Sequence, residues 1–281
     1  MLTMKKLLVV FNGIHFPTHV LRYAISIAQK SNSLIEGIFL KIPGSTDFYY
    51  PFFNDLGASG THLSEKDMGH EDADLIGGNI RLFKTICTEA NVKHKMHLNI
   101  TAALNRLLYE SAFADLLLID SQANFNYDVS EKLNTSLRYL FIDAHCPVLA
   151  ISENAQPPEK IIIAYDGSNS CIFAIKAFSY LFPEWKDMPV HIVSVTTGSG
   201  GGMRDEVYIR DWIDLHFSKN QTVVIHGDVK SSFIQFVKEN QDNALVVMGA
   251  YGRNALSRLF RQSLADVVLQ QSTAPLFLTH Q

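Results

Sequence analysis

Lys160-Ile161-Ile162-Ile163-Ala164-Tyr165-Asp166-Gly167 is an unbroken apolar run that stops on a small polar pair. A run without alternation is the pattern of a strand buried on both faces of a parallel sheet. Lys5-Lys6-Leu7-Leu8-Val9-Val10-Phe11-Asn12-Gly13 repeats it near the start of the chain. Helical periodicity follows both runs. Val20, Ala24, Ile27 and Ala28 come after the first, and Ala174, Phe178, Leu181 and Phe182 after the second. Each set has i, i+4, i+7, i+8 spacing, one apolar stripe of an amphipathic helix. The chain therefore reads as one α/β plan written twice.

The ends of the halves match as well. Asp115–Asp120 parallels Asn243–Met248, and His145–Ile151 parallels Thr273–Thr279. The starts are offset by 154 positions (12 to 166) and the ends by 128 (147 to 275). The first half thus holds about 26 extra residues, which best fit 41–74, a stretch with no clear period that includes the aromatic cluster Phe48-Tyr49-Tyr50-Pro51-Phe52-Phe53. That cluster is read as a loop packing its own rings, with a ligand cover or an interface as the alternatives. Ser152–Pro158 is polar and proline-stiffened, a linker. Domains are accordingly expected at 1–152 and 158–281. In the second half, strands are expected near Lys160–Tyr165, Val190–Thr196, Thr222–His226, Ala244–Gly249 and Pro275–Thr279, alternating with helices. Such βαβ units give a doubly wound parallel sheet, and sites in these sheets form beyond the carboxyl ends of the strands.

Composition narrows the function classes. A net charge of −4 over 281 residues argues against a nucleic-acid binder or a binder of anionic membrane, either of which needs a basic face. No run of about 18 apolar residues is present, so no membrane span is expected. The apolar run after Met4-Lys5-Lys6 stops at Asn12-Gly13, too short for a secretory core, and the chain is expected to be cytoplasmic. Cys87, Cys146 and Cys171 are scattered, which suggests small core residues rather than a disulfide or zinc framework. The eleven histidines are read as carrying no metal-ligand pattern, so no metal site of their own is expected. His226 beside Asp228 is weighed as an acid–base pair and set aside. Gly198-Ser199-Gly200-Gly201-Gly202 follows the second strand rather than the first and reads as a loop tip.

Chemistry concentrates after the fourth strand of the second half. Gly249-x2-Gly252 is followed, nine residues on, by Gln262-Ser263, with Arg253 next to the second glycine and Leu264 opening a helix. Glycines let a loop turn and let its N–H groups approach an anion closely. The helix start adds unpaired N–H donors suited to a phosphate. Ser263 is either a hydroxyl ligand or a helix cap. This half resembles the universal stress protein family, whose nucleotide-binding members carry Gly-x2-Gly-x9-Gly-(Ser/Thr) at that point. Asp166, Gly227-Asp228 and Pro275 fit the resemblance too, and the first half fits it more loosely. It implies a tandem of two Rossmann-like, adenine nucleotide alpha hydrolase-like domains. It further implies that ATP or a related adenine nucleotide, with Mg²⁺, sits on Asp166, Val195, Gly249, Gly252, Arg253, Gln262, Ser263 and Leu264. Asp166 would serve the ribose or the metal, and the backbone near Val195 the adenine ring. Gln262 stands where the pattern has its third glycine, and Arg253, Arg258 and Arg261 lie where they could compensate by charge.

At the matching positions the first half has Asn12, Ser121, Asn124, Asn134 and Thr135, so no nucleotide is expected there. Two functions stay open: a regulatory stress-response protein that binds nucleotide with little or no catalysis, or an interaction module that keeps the fold without the ligand. Val148–Ile151 and Leu276–Thr279 read as sheet edges. The family resemblance implies that such strands pair antiparallel, here within one chain as a pseudo-dimer, with further self-association left open.

Overall fold

The apolar runs become strands for the expected reason: nearly every residue in them is buried, so both faces of the sheet must be covered. The computed structural model describes residues 4–12, 15–40, 70–99, 103–123, 135–197, 201–249 and 264–279. The chain divides into two compact units, Met1–Cys146 and Pro147–Gln281.

In the first unit β1 (Lys6–Asn12), α1 (Thr18–Ser31), β2 (Leu34–Leu40), α2 (His70–Glu89), β3 (Lys93–Asn99), α3 (Ala103–Ser111), β4 (Leu116–Asp120) and α4 (Thr135–Asp143) follow one another. The strands lie in the order β3-β2-β1-β4, with β1 parallel to both β2 and β4. Val20, Ala24, Ile27 and Ala28 are the buried stripe of α1. That helix ends at Asn32, whose left-handed φ of 49° lets its N–H close on the Ala28 carbonyl. Of the stretch expected as an insert, residues 41–69 and the aromatic cluster lie outside the described residues, and 70–74 are the start of α2.

The second unit holds β5 (Val148–Ile151), β6 (Lys160–Ala164), α5 (Asn169–Leu181), β7 (Val190–Thr196), α6 (Glu206–His216), β8 (Asn220–His226), α7 (Val229–Asn240), β9 (Ala244–Gly249), α8 (Leu264–Gln271) and β10 (Leu276–Thr279). Its strand order is β5-β10-β9-β6-β7-β8. All pairs are parallel except β5 with β10, which run antiparallel in the register Leu276↔Ala150, Phe277↔Leu149, Leu278↔Val148. That pairing groups β5 with the second unit, although it precedes the polar linker. Phe178 and Phe182 of the α5 stripe pack with Trp185 and Phe277. Phe182 stacks on Trp185 at 4.2 Å, and Phe178 meets Phe277 edge-on at 5.2 Å. Both units are α/β, and among the described residues no helix is long and apolar enough to cross a membrane.

Candidate functional site

β6 pairs with β7 on one side and β9 on the other, so the crossovers leave it in opposite directions and open a crevice at its carboxyl end. The turn there is tightly specified. Gly167 adopts φ +70°, and a Cβ on it would lie 2.7 Å from Cδ of Arg204. Asp166 is exposed, and its Oδ1 accepts from the Ser168 N–H at 2.8 Å. Ser168 caps α5, its Oγ accepting from the Cys171 N–H at 3.2 Å. The Tyr165 hydroxyl donates to the Arg204 carbonyl at 2.9 Å, which ties the turn to the segment before α6. Burial, with Cys171 and Asp205 nearby, pushes the Tyr165 phenol above its usual range, so it stays protonated.

A cavity of about 140 Å³ occupies the crevice. Asp166 from the β6 turn, Val195 from β7, Gly249 from the end of β9 and Leu264 from the start of α8 all line it. Val193, Phe233 and Met248 complete a mostly apolar wall. Four of the eight residues expected at a nucleotide site are thus brought together from four separate segments. The other four, Gly252, Arg253, Gln262 and Ser263, lie outside the described residues, as do Arg258, Arg261 and Gly198-Ser199-Gly200.

Gly249 has a reason of its own to be glycine. A Cβ there would lie 2.5 Å from the Ser170 carbonyl oxygen and 2.6 Å from the Cys171 nitrogen, both backbone atoms that cannot swing aside. β9 therefore ends in direct contact with the first turn of α5. Sequence reasoning missed the α7 wall, although Val229 and Phe233 stand four residues apart on one helical face.

The remaining reactive groups are committed elsewhere. The Cys171 thiol donates to the Ala164 carbonyl at 3.1 Å, and burial pushes its pKa up to about 12, which removes it as a nucleophile. Asp228 accepts from the Ser231 N–H and hydroxyl, each at 2.9 Å, as the cap of α7. Those bonds hold its carboxyl below the usual range. His226 meets Thr196 Oγ1 at 2.9 Å instead of Asp228.

In the first unit, His15 and His19 do have His-x3-His spacing, which the sequence reading passed over. Of these two, His19 is the one that approaches a carboxylate. Its Nε2 lies 3.7 Å from Asp120 Oδ1, with both side chains largely buried. No group of three metal-ligating side chains converges among the described residues.

Residues 158–280 match the model of the Universal stress protein family. No curated protein matches the chain. A universal stress protein from Archaeoglobus fulgidus aligns with 98% of this chain and 98% of its own, at a TM-score of 0.71 and 13% identity. A functionally unknown protein from Pseudomonas aeruginosa PAO1 aligns with 99% of this chain and 93% of its own, at a TM-score of 0.61 and 14% identity. At these identities the two likenesses are of fold. Together, the repeated α/β plan, the crevice between β6 and β9 and the match over the second half lead to one conclusion: residues 158–280 match the universal stress protein family.

Proposed function

We propose that the second unit binds an adenine nucleotide, ATP or a close relative, and that the protein acts as a cytoplasmic stress-response regulator rather than a catalyst. One observation carries this reading. Asp166, Val195, Gly249 and Leu264 line a single cavity at the point where strand order reverses. Its size suits a ring: an apolar cavity of about 150 Å³ accommodates one benzene. The apolar wall of Val193, Val195, Phe233 and Met248 offers flat surface to adenine, and Asp166 offers a carboxylate to a ribose hydroxyl or to Mg²⁺. Residues 250–263 connect two elements that line the cavity, and their sequence supplies Gly252, Arg253 and Ser263 for phosphate. The protonated thiol of Cys171 and the capping role of Asp228 fit a binding site better than a reaction centre.

A second reading, a ligand-free interaction module, draws support from Gly249, which helix packing alone explains. Isothermal titration of the full chain with ATP–Mg²⁺ and with AMP separates the two. Saturable heat favours the nucleotide reading. Its absence in the native chain, followed by its appearance on Gln262→Gly, identifies Gln262 as the block. Absence in both selects the module.

A further inference from the structure

A second cavity, of about 200 Å³, lies between α5 and α6. Ile172, Ile175 and Lys176 line it from α5, Tyr208 and Trp212 from α6, and Tyr165 closes it. Tyr165 also lines the crevice described above, and among the described residues no other is shared. The volume exceeds that of the roughly 150 Å³ cavity that holds one benzene, so it admits one ring with a small substituent.

The wall chemistry selects the ring. Tyr208 and Trp212 stand one helical turn apart, on the same side of α6. Neither is needed for the core, because Ile209 and Ile213 already form the buried stripe of that helix. Tyr208 is 78% exposed, a large aromatic left in water beside an apolar groove. The Trp212 plane is held by stacking on His216 at 3.8 Å and 12°. Charge at the rim selects the substituent. Asp205 is engaged by Arg204, Nε to Oδ2 at 3.4 Å. Lys176 is exposed and has no ion-pair partner among the described residues. The uncompensated charge is therefore positive, and an ammonium beside apolar surface suits a carboxylate.

We propose that this groove binds a single-ring aromatic carboxylate, the ring lying between Tyr208–Trp212 and Ile172–Ile175 and the carboxylate on the Lys176 ammonium. The groove meets the nucleotide crevice at Tyr165, but its assignment does not rest on nucleotide binding there.

Titration of the full chain with benzoate, benzyl alcohol and benzylamine tests the proposal, read by tryptophan fluorescence. The chain has two tryptophans, and Trp185 is buried away from this groove, so the signal belongs to Trp212. We expect benzoate to saturate the change with a Kd on the order of 1 mM, a sensible strength for so small a ligand. Lys176→Ala should weaken benzoate about tenfold and leave benzyl alcohol unchanged, the signature of one lost charge contact. Tyr208→Ala should weaken both, and because Tyr208 and Lys176 are exposed, both variants should melt with the wild type. Four results would overturn the site: no saturation up to about 20 mM, benzylamine binding as tightly as benzoate, a Lys176→Ala variant that binds benzoate normally, or a Tyr208→Ala variant with unchanged affinity.

Discussion

Where β4 ends in the first unit stands Asp120; at the matching point of β9 in the second stands Met248. The residues that follow are Ser121, buried, and Gly249, packed against the backbone of α5. Asp120 turns to His19 on the first turn of α1, while Met248 faces a cavity beside Val195 and Asp166. One strand plan thus ends in a polar pair in one unit and in an apolar slot in the other. A sheet edge closed by a buried histidine beside a carboxylate is already filled, whereas a slot with one carboxylate at its mouth leaves room for a flat ring. The fold provides the crevice, and a few residues at the strand ends decide its use.

The sharpest way to break this contrast is steric. Gly249→Val should lower the stability of the second unit by about 3 kcal/mol, because Ser170 and Cys171 present backbone to the new side chain. The matching Ser121→Ala should cost about 1 kcal/mol or less, for the removal of one buried hydroxyl. Urea denaturation followed by circular dichroism compares the two. Equal losses would mean that the strand ends are not packed differently.

Asp120→Asn comes next, at about 1–3 kcal/mol near neutral pH for a charge-assisted contact. Burial pushes the Asp120 carboxyl up, but the nearby His19 imidazole and the hydrogen bond from the Gln122 N–H at 2.8 Å, with His15 also contributing, outweigh it and hold the group below the usual range. A depressed carboxyl stabilises the fold above its unfolded pKa of about 3.9 and loses that contribution as pH falls through the folded value. The variant should therefore differ from wild type at neutral pH and converge with it in acid.

A smaller effect is expected at His191 in β7. Burial, then Lys160, pulls its pKa below the ordinary value. The unfolded chain takes up that proton first, so stability should fall as pH drops below about 6.5. His191→Gln should flatten this acid-side slope in thermal melts, and an unchanged slope would remove His191 as its source. Asp166→Ala should move stability least, by less than about 0.5 kcal/mol at an exposed site. It should nevertheless weaken ATP roughly tenfold if its carboxylate takes a ribose hydroxyl. Equal affinity would free Asp166 from the ligand role.

The strands were legible because runs such as Ile161–Ile163 and Leu245–Val247 are buried on both faces and leave no choice of period. Val190–Thr196 and Ala244–Gly249 appear with the expected limits, and Asn220–His226 begins two residues early. Strand ends are local matters of apolar pattern. The cavity was half legible: Gly249 and Leu264 lie at the glycine motif and Asp166 and Val195 are implied by the family resemblance, but Phe233 and Val229 come from a helix that neither points to. The tight contact of Gly249 with α5 was hidden too, since a glycine required by packing and one required by a phosphate look alike in sequence. His19 and Asp120 are separated by about a hundred positions, and only the fold brings them together.

The most direct test is a count of bound nucleotide by equilibrium dialysis with labelled ATP in Mg²⁺. We expect one ATP per wild-type chain, one per Asp120→Asn chain, and none when Val195→Phe fills the slot of the second unit. Two per wild-type chain, none at all, or one retained by a folded Val195→Phe variant would contradict the assignment of the ligand to that slot.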